Sequence, residues 1–97
     1  MIQQTSRQAY YSLKDLGARQ YIVLKTIQLS NSICNLDIAK LLVIPINQVT
    51  PRTNELVKEG LVEESHKDIG PTGRRVIFWK LSEEGEKLFA PHQEPLF

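Results

Sequence analysis

Residues 46–65 read INQVTPRTNELVKEGLVEES, and this segment is the most informative about the fold. Its apolar residues recur at the spacing of one helix face, which predicts an amphipathic helix from Ile46 or Asn47 to Glu59. Three of these apolar residues are expected to face the core: Val49, Leu56 and Val57. Gly60 is expected to end the helix, because glycine readily adopts the left-handed conformation that follows many helices.

The residues after this helix predict a hairpin and a short helix. Residues 61–65 predict one strand, and residues 75–81, rich in β-branched and aromatic side chains, predict a second. The polar stretch 66–74 between them predicts a long loop. Ser82 is expected to cap a last helix ending near Phe89, because its hydroxyl can accept a bond from an N–H of the first turn.

Three more helices are predicted upstream, at residues 6–16, 18–29 and 36–42. Gly17 is expected to end the first of them or to act as a hinge after it, and Asn35 is expected to cap the third. The inner face of the third is expected to comprise Ile38, Leu41 and Leu42. Pro45 breaks the pattern after it, because proline has no N–H and disfavours helix in the preceding residue. Ile33-Cys34 predicts one very short strand.

Length, charge and cysteine content narrow the class of protein. The 97 residues suffice for one domain with a modest core. No apolar run is long enough for a membrane span, and residues 1–7 lack the apolar stretch of a secretory signal. Cys34 is the single cysteine, which excludes an intrachain disulfide and a cysteine metal cluster. We therefore expect a cytoplasmic protein without a cofactor or a metal ion.

The net charge of +1 argues against a nucleic-acid partner, but the charges are unevenly placed. Residues 1–44 are mildly basic, whereas the last residues are acidic. A local basic face is therefore expected even though the total charge of the protein is not strongly basic.

The order of elements is typical of a winged helix-turn-helix. Two helices joined by a sharp turn with a proline are followed at once by a hairpin. The predicted class is α+β, mostly α: a three-helix core and a β-hairpin wing, with extra helices at both ends. We expect a helical extension at 1–17, the winged domain at 18–89 and a flexible tail at 90–97.

The helix at 46–59 carries the candidate base-reading residues. A helix fits the major groove when its polar side faces outward, and Asn or Gln can pair bidentately with an adenine edge. Asn47 and Gln48 are therefore candidates for base contacts, whereas Thr50 and Arg52, on the flanks, suit phosphates. The DNA-binding set expected on this helix is Asn47, Gln48, Thr50, Pro51, Arg52, Asn54 and Lys58.

The predicted wing adds three cations and two small residues. Lys67, Arg74 and Arg75 can grip phosphates or reach into a narrow minor groove. Thr72 and Gly73 would allow the backbone to approach DNA closely. Double-stranded DNA is thus the expected partner.

Each of these assignments has a plainer alternative. The outer face of the helix can be a merely solvated surface, with Arg52 paired to Glu55 or Glu59. Arg74 and Arg75 can be edge charges that discourage aggregation. The sequence contains no paired-carboxylate, phosphate-loop or triad-like motif, so no enzyme activity is expected.

The sequence also resembles a known family. The segment 41–62 resembles the recognition segment of MarR-like winged-helix proteins. Residues 71–74 with 76–79 look like the wing of short phage and bacterial winged-helix proteins. Residues 6–10 and 16–20, at the start of the chain, also resemble segments of these proteins. The resemblance covers most of the chain and implies a DNA-binding regulator.

Two departures separate this chain from full-length MarR proteins. The long dimerisation helices are missing, so the dimer mode of that family is not implied. Pro51 and Glu55 occupy the recognition helix where Ser, Arg or Lys would favour DNA. A winged-helix adaptor or anti-repressor that binds protein and not DNA is therefore the rival interpretation.

An apolar stripe near the start of the chain predicts a homodimer contact. The stripe comprises Ala9, Tyr10, Leu13 and Leu16, at helical spacing. These side chains need cover, either from a second copy or from their own domain.

Overall fold

The computed structural model describes residues 16–89, and they form four helices and one antiparallel hairpin. The helices are α1 (Ala18–Ser30), α2 (Asn35–Leu42), α3 (Ile46–Lys58) and α4 (Glu83–Phe89). The hairpin pairs β1 (Val62–Ile69) with β2 (Arg75–Leu81). This order confirms the predicted winged helix-turn-helix class. The predicted first helix, except Leu16, and the predicted tail lie outside the described residues.

The core lies where α1, α2 and α3 meet the base of the hairpin. The buried residues of α1 are spaced so that they lie on one face of the helix, and the same holds for α3. The fully buried apolar residues of the three helices are Val23, Leu24, Ile27, Ile38, Val49 and Leu56. Leu61, Val62 and Leu81 extend this core into the hairpin. The wing is therefore fixed to the helices at its base.

The helix-turn-helix unit is formed by α2 and α3 and the turn 43–45 between them. Val43 adopts a left-handed conformation with φ 57°, and its side chain is 86% exposed. The backbone N–H of Ile44 donates to the carbonyl of Ala39, which closes the end of α2. The hydroxyl of the fully buried Thr53 donates to Oδ1 of Asn35 at 2.9 Å. This hydrogen bond joins α3 to the first residue of α2.

The hairpin is longer on its first strand than the sequence predicts. Strand β1 continues past Ser65 to Ile69, and a bulge near Ser65 shifts the register between Glu64 and His66. The predicted loop 66–74 thus shrinks to 70–74. The residue pattern does not predict this extension, because most of β1 beyond Val62 is exposed on both faces and shows no alternation.

Ile33 forms an isolated antiparallel bridge with Trp79. Each residue donates its N–H to the other's carbonyl, at 3.1 and 2.9 Å. The short strand predicted at Ile33-Cys34 is therefore present as a single-residue bridge.

Three predictions about the helices were wrong. Leu41 is 63% exposed and Val57 is 38% exposed, because Ile38 with Ala39 and Leu56 with Thr53 form the inner faces instead. The helix Asn35–Leu42 has Cys34 before it as its N-cap residue, so Asn35 is its first residue and does not cap it. Gly17 precedes α1 as its N-cap residue, and the helix that it was predicted to end lies outside the described residues. Its N–H donates to Oε1 of Gln20.

Helix α4 packs on the base of the hairpin. Ser82 caps it as predicted, since its hydroxyl accepts a hydrogen bond from the N–H of Gly85 at 3.1 Å. The same hydroxyl donates to the carbonyl of Gly60. Gly85 is buried against the backbone carbonyl of Leu61, where a Cβ atom would overlap. Within residues 16–89, none of the helices has the length and apolar character needed to cross a bilayer.

Candidate nucleic-acid interface

Helix α3 presents a continuous polar face to solvent. The residues of the predicted DNA-binding set that are exposed there are Asn47, Gln48, Pro51, Asn54 and Lys58. Thr50 and Arg52 are half-buried on the flanks, as their spacing predicts. The structure therefore brings the predicted set together on one helix, while its contacts with bases and phosphates stay predictions.

Pro51 lies inside α3 and changes what its outer face offers. Proline has no N–H, so the usual helical bond to the carbonyl four residues earlier, that of Asn47, is missing. The exposed face near the start of α3 carries the side-chain amide groups of Asn47 and Gln48, with the ring of Pro51 exposed beside them. Side-chain amides of this kind match the polar edges of base pairs.

Arg52 is held by Glu55, three residues later on α3. Its Nε donates to Oε1 of Glu55 at 2.9 Å, and its Nη2 donates to Oε2 at 2.7 Å. Oε1 also accepts a hydrogen bond from Nε2 of Gln20, on α1, at 2.7 Å. One of the two pairings predicted for Arg52 is thus present. The participation of Gln20 was missed, because nothing in the sequence indicates which residue of α1 faces α3.

These contacts shift the pKa of both charged groups. The hydrogen bonds from Arg52 and then from Gln20 lower the pKa of the Glu55 carboxyl. The hydrogen bond to Glu55 raises the pKa of the Arg52 guanidinium. Both groups are therefore charged across the physiological pH range, and their charges largely cancel.

The wing places its cations toward one end of the hairpin. Arg75 pairs with Ile69 in the register and Lys67 pairs with Ile77, while Arg74 lies in the turn. The three cations are exposed. Asp68 lies among them, and its carboxylate accepts a hydrogen bond from the N–H of Ile69. This end of the hairpin therefore carries three cations and, among them, one exposed carboxylate.

The turn of the wing is closed by two backbone hydrogen bonds. The N–H of Gly70 donates to the carbonyl of Arg74 at 2.8 Å, and the N–H of Gly73 donates to the carbonyl of Gly70 at 3.0 Å. Gly73 has φ +85°, which favours glycine at this position. Thr72 and Gly73 are exposed at the tip, where the sequence predicted them.

His66 and Phe78 stack across the hairpin just beyond the bulge. Their ring centroids are 4.9 Å apart, with an angle of 8° between the planes. The Nδ1 atom of His66 also lies 2.9 Å from the hydroxyl of Ser65. This stack joins β1 to β2 in the middle of the wing, and the residue pattern does not predict it because the bulge decides which residues are opposite.

Within residues 16–89, the remaining reactive side chains do not form a second site. Cys34 is buried, and burial raises the pKa of its thiol, whose Sγ lies 3.5 Å from the carboxylate of Asp37. Among residues 16–89 there is no cluster of three side chains suited to a metal ion. Leu16, from the predicted dimer stripe, packs into the core of its own domain, and Ala9, Tyr10 and Leu13 lie outside the described residues.

Comparison with known proteins identifies the fold. No family model and no curated protein sequence matches the chain. Among solved structures, the Multiple Antibiotic Resistance Repressor, MarR, superposes with TM-score 0.64 at 25% identity, covering 89% of this chain and 61% of its own. A MarR family regulator from Neisseria meningitidis has TM-score 0.64 at 27% identity, covering 80% of this chain and 53% of its own.

A mutant MarR from E. coli complexed with operator DNA also superposes with TM-score 0.64, at 26% identity, covering 89% of this chain and 61% of its own. The chain thus spans less than two thirds of these structures. They confirm the predicted resemblance in fold. The described part of the chain is a MarR-like winged helix-turn-helix.

Proposed function

We propose that this protein is a cytoplasmic transcriptional regulator that binds double-stranded DNA in a sequence-specific way and catalyses no reaction. Helix α3 enters the major groove, and the wing contacts the backbone or the minor groove. The observation that carries the proposal is the exposed polar face of α3 combined with the exposed cations at the tip of the hairpin.

The two elements have complementary roles. Asn47, Gln48 and Asn54 supply amide groups that can read base edges, since they donate and accept at once. Lys67, Arg74 and Arg75 supply charge, which releases counterions from the phosphates and provides most of the sequence-independent affinity. The wing therefore binds any duplex, and α3 selects among duplexes.

The superposition with a MarR protein complexed with operator DNA supports this assignment. Homodimer formation through the stripe Ala9, Tyr10, Leu13 and Leu16 stays a prediction. The burial of Leu16 in its own core weighs against a part for that residue. A monomer mass by light scattering at high protein concentration would contradict the dimer.

A protein-binding adaptor is the second candidate function. The pairing of Arg52 with Glu55 favours it, because a cation on the recognition helix is neutralised within the chain. The net charge of +1 points the same way. The two functions differ in their response to salt, since binding to phosphates weakens steeply as salt rises and an apolar protein interface need not.

Fluorescence anisotropy with a labelled random duplex, measured at several salt concentrations, separates them. We expect a Kd of about 10⁻⁴ to 10⁻⁶ M at moderate salt, with a log–log salt slope of several units. The double variant Arg74→Ala/Arg75→Ala should reduce that slope by about 2, since each phosphate contact contributes roughly 0.9.

Lys87→Ala is the matched control for charge. Lys87 is exposed on α4, outside the hairpin, and its Nζ lies 3.9 Å from the carboxylate of Glu84. It should leave the slope unchanged. Absence of binding at low salt, or an equal effect of the control, would overturn the proposal and favour the adaptor.

A further inference from the structure

Arg52 is the best-fixed polar side chain on the surface of α3. Its guanidinium makes two parallel hydrogen bonds to Glu55, at 2.9 and 2.7 Å. Glu55 is held in turn by Nε2 of Gln20, and Oε1 of Gln20 accepts the N–H of Gly17. A chain of hydrogen bonds thus runs from the backbone before α1 to the guanidinium on α3.

The hydrogen bonds to Glu55 occupy only one edge of the guanidinium. Arginine has five N–H donors in a planar fork, and Glu55 takes one from Nε and one from Nη2. The second hydrogen of Nη2 and both hydrogens of Nη1 stay available at the end of the side chain. Two neighbouring N–H groups in one plane are the donor pattern that fits O6 and N7 of guanine.

The same carboxylate makes a phosphate contact by Arg52 unfavourable. Attraction to a phosphate depends mainly on net charge, and Glu55 cancels the charge of Arg52 within hydrogen-bond distance. Contact with a base edge depends instead on the alignment of hydrogen-bond donors with the neutral acceptor atoms of the base. A guanidinium that is held in one position improves this alignment. The arrangement therefore favours a base over a phosphate as the group that Arg52 contacts.

We propose that Arg52 is a specificity-determining residue that reads a guanine in the major groove, with Glu55 and Gln20 as positioning residues that orient its guanidinium. This rests on the proposed function, and it moves Arg52 from the phosphate-contacting group predicted from its flank position to the base-reading group. Helical spacing places Glu55 nearer than Arg52 to the middle of the outer face, and the two hydrogen bonds tie the guanidinium of Arg52 to that carboxylate.

Two variants have effects that a merely structural role would not produce. Arg52→Lys keeps the charge but loses the planar fork, so it should lose the guanine preference while the salt slope is kept. Glu55→Gln keeps the shape but removes a negative charge and the charge-assisted pair. It should weaken the guanine preference and at the same time raise affinity for random duplex DNA.

The test begins with selection of bound duplexes from a random pool by the wild-type protein. Affinities are then measured for the selected duplex and for duplexes in which each G·C pair is replaced in turn by A·T. We expect one replacement to weaken wild-type binding by about 5- to 150-fold, the range for a bidentate base contact. In Arg52→Lys that penalty should fall below about 3-fold, and in Glu55→Gln it should fall in part.

Lys58→Ala is the control, because Lys58 is exposed on the same helix and is expected to contact phosphate. It should weaken binding to all duplexes alike. An enriched sequence whose penalties are unchanged in Arg52→Lys would overturn this inference alone. Proportional gains in Glu55→Gln for selected and random DNA would also overturn it. No enriched sequence with the wild-type protein would overturn the proposed function together with it.

Discussion

Replacing Thr53 by valine should weaken the joint between the two helices of the helix-turn-helix. The change keeps the shape of a fully buried side chain and removes one hydroxyl. That hydroxyl donates to Oδ1 of Asn35 at 2.9 Å, and it also lies 3.2 Å from the carbonyl of Val49. The Val49 carbonyl keeps its helical N–H partner, so the loss falls on Asn35.

The expected cost follows from the position of Asn35. An acceptor left without a donor costs about 1–3 kcal/mol, and Asn35 is only half-buried, so water recovers part of it. The added methyl group regains up to about 0.8 kcal/mol. We therefore expect the free energy of unfolding to fall by about 1 kcal/mol, and the melting temperature to fall by about 4–8 °C.

The assay is urea and thermal unfolding followed by far-UV circular dichroism and by the fluorescence of the single tryptophan, Trp79. Thr50→Val is the matched control, because Thr50 is half-buried one turn earlier on the same helix and should change stability by less than about 0.5 kcal/mol. In a double-mutant cycle with Asn35→Ala, the two substitutions should be coupled by at least about 0.5 kcal/mol. Equal effects of Thr53→Val and Thr50→Val, or strict additivity with Asn35→Ala, would show that the Thr53–Asn35 hydrogen bond does not stabilise the protein.

Two further predictions concern α4 and the Arg52–Glu55 pair. Gly85→Ala should destabilise the protein by about 1–3 kcal/mol, because its methyl group would overlap the carbonyl of Leu61; an unchanged urea midpoint would contradict this packing. Glu55 should titrate below its ordinary pKa of 4.5 when followed by NMR, because Arg52 stabilises its charged form. The stability from this pair is present above pH 4.5 and is lost as the pH falls through the lower, folded-state pKa. Arg52→Ala should move the midpoint back toward 4.5, and a midpoint that stays low would show that Arg52 is not the cause.

The sequence predicted the helices of the core well because their apolar residues follow helical spacing. It placed α1, α3 and β2 within a residue or two of their observed bounds. It was wrong about Leu41 and Val57 because each helix of this small domain buries only a narrow stripe, and an apolar residue just beside that stripe is exposed to water. Spacing alone does not reveal how narrow the stripe is.

The candidate interface was predictable as a set of exposed residues and not as a set of contacts. Exposure of Asn47 and Gln48 follows from their position opposite Val49 and Leu56. The Gln20–Glu55 hydrogen bond depends on how α1 crosses α3, which is a property of tertiary packing. The length of β1 depends on the bulge at Ser65, and no local signal marks it.

The bridge between Ile33 and Trp79 fixes the hairpin at its base and leaves its tip free to move. At its root, the backbone of β2 is bonded both to β1 and to the segment before α2, so those amide protons should exchange with solvent only when the whole domain opens. At its tip, two hydrogen bonds within the turn 70–74 close it, and its exposed amide protons should exchange far sooner. One ribbon therefore combines a clamped end, fixed relative to α2 and α3, with a compliant end that can bend to follow a surface of variable shape.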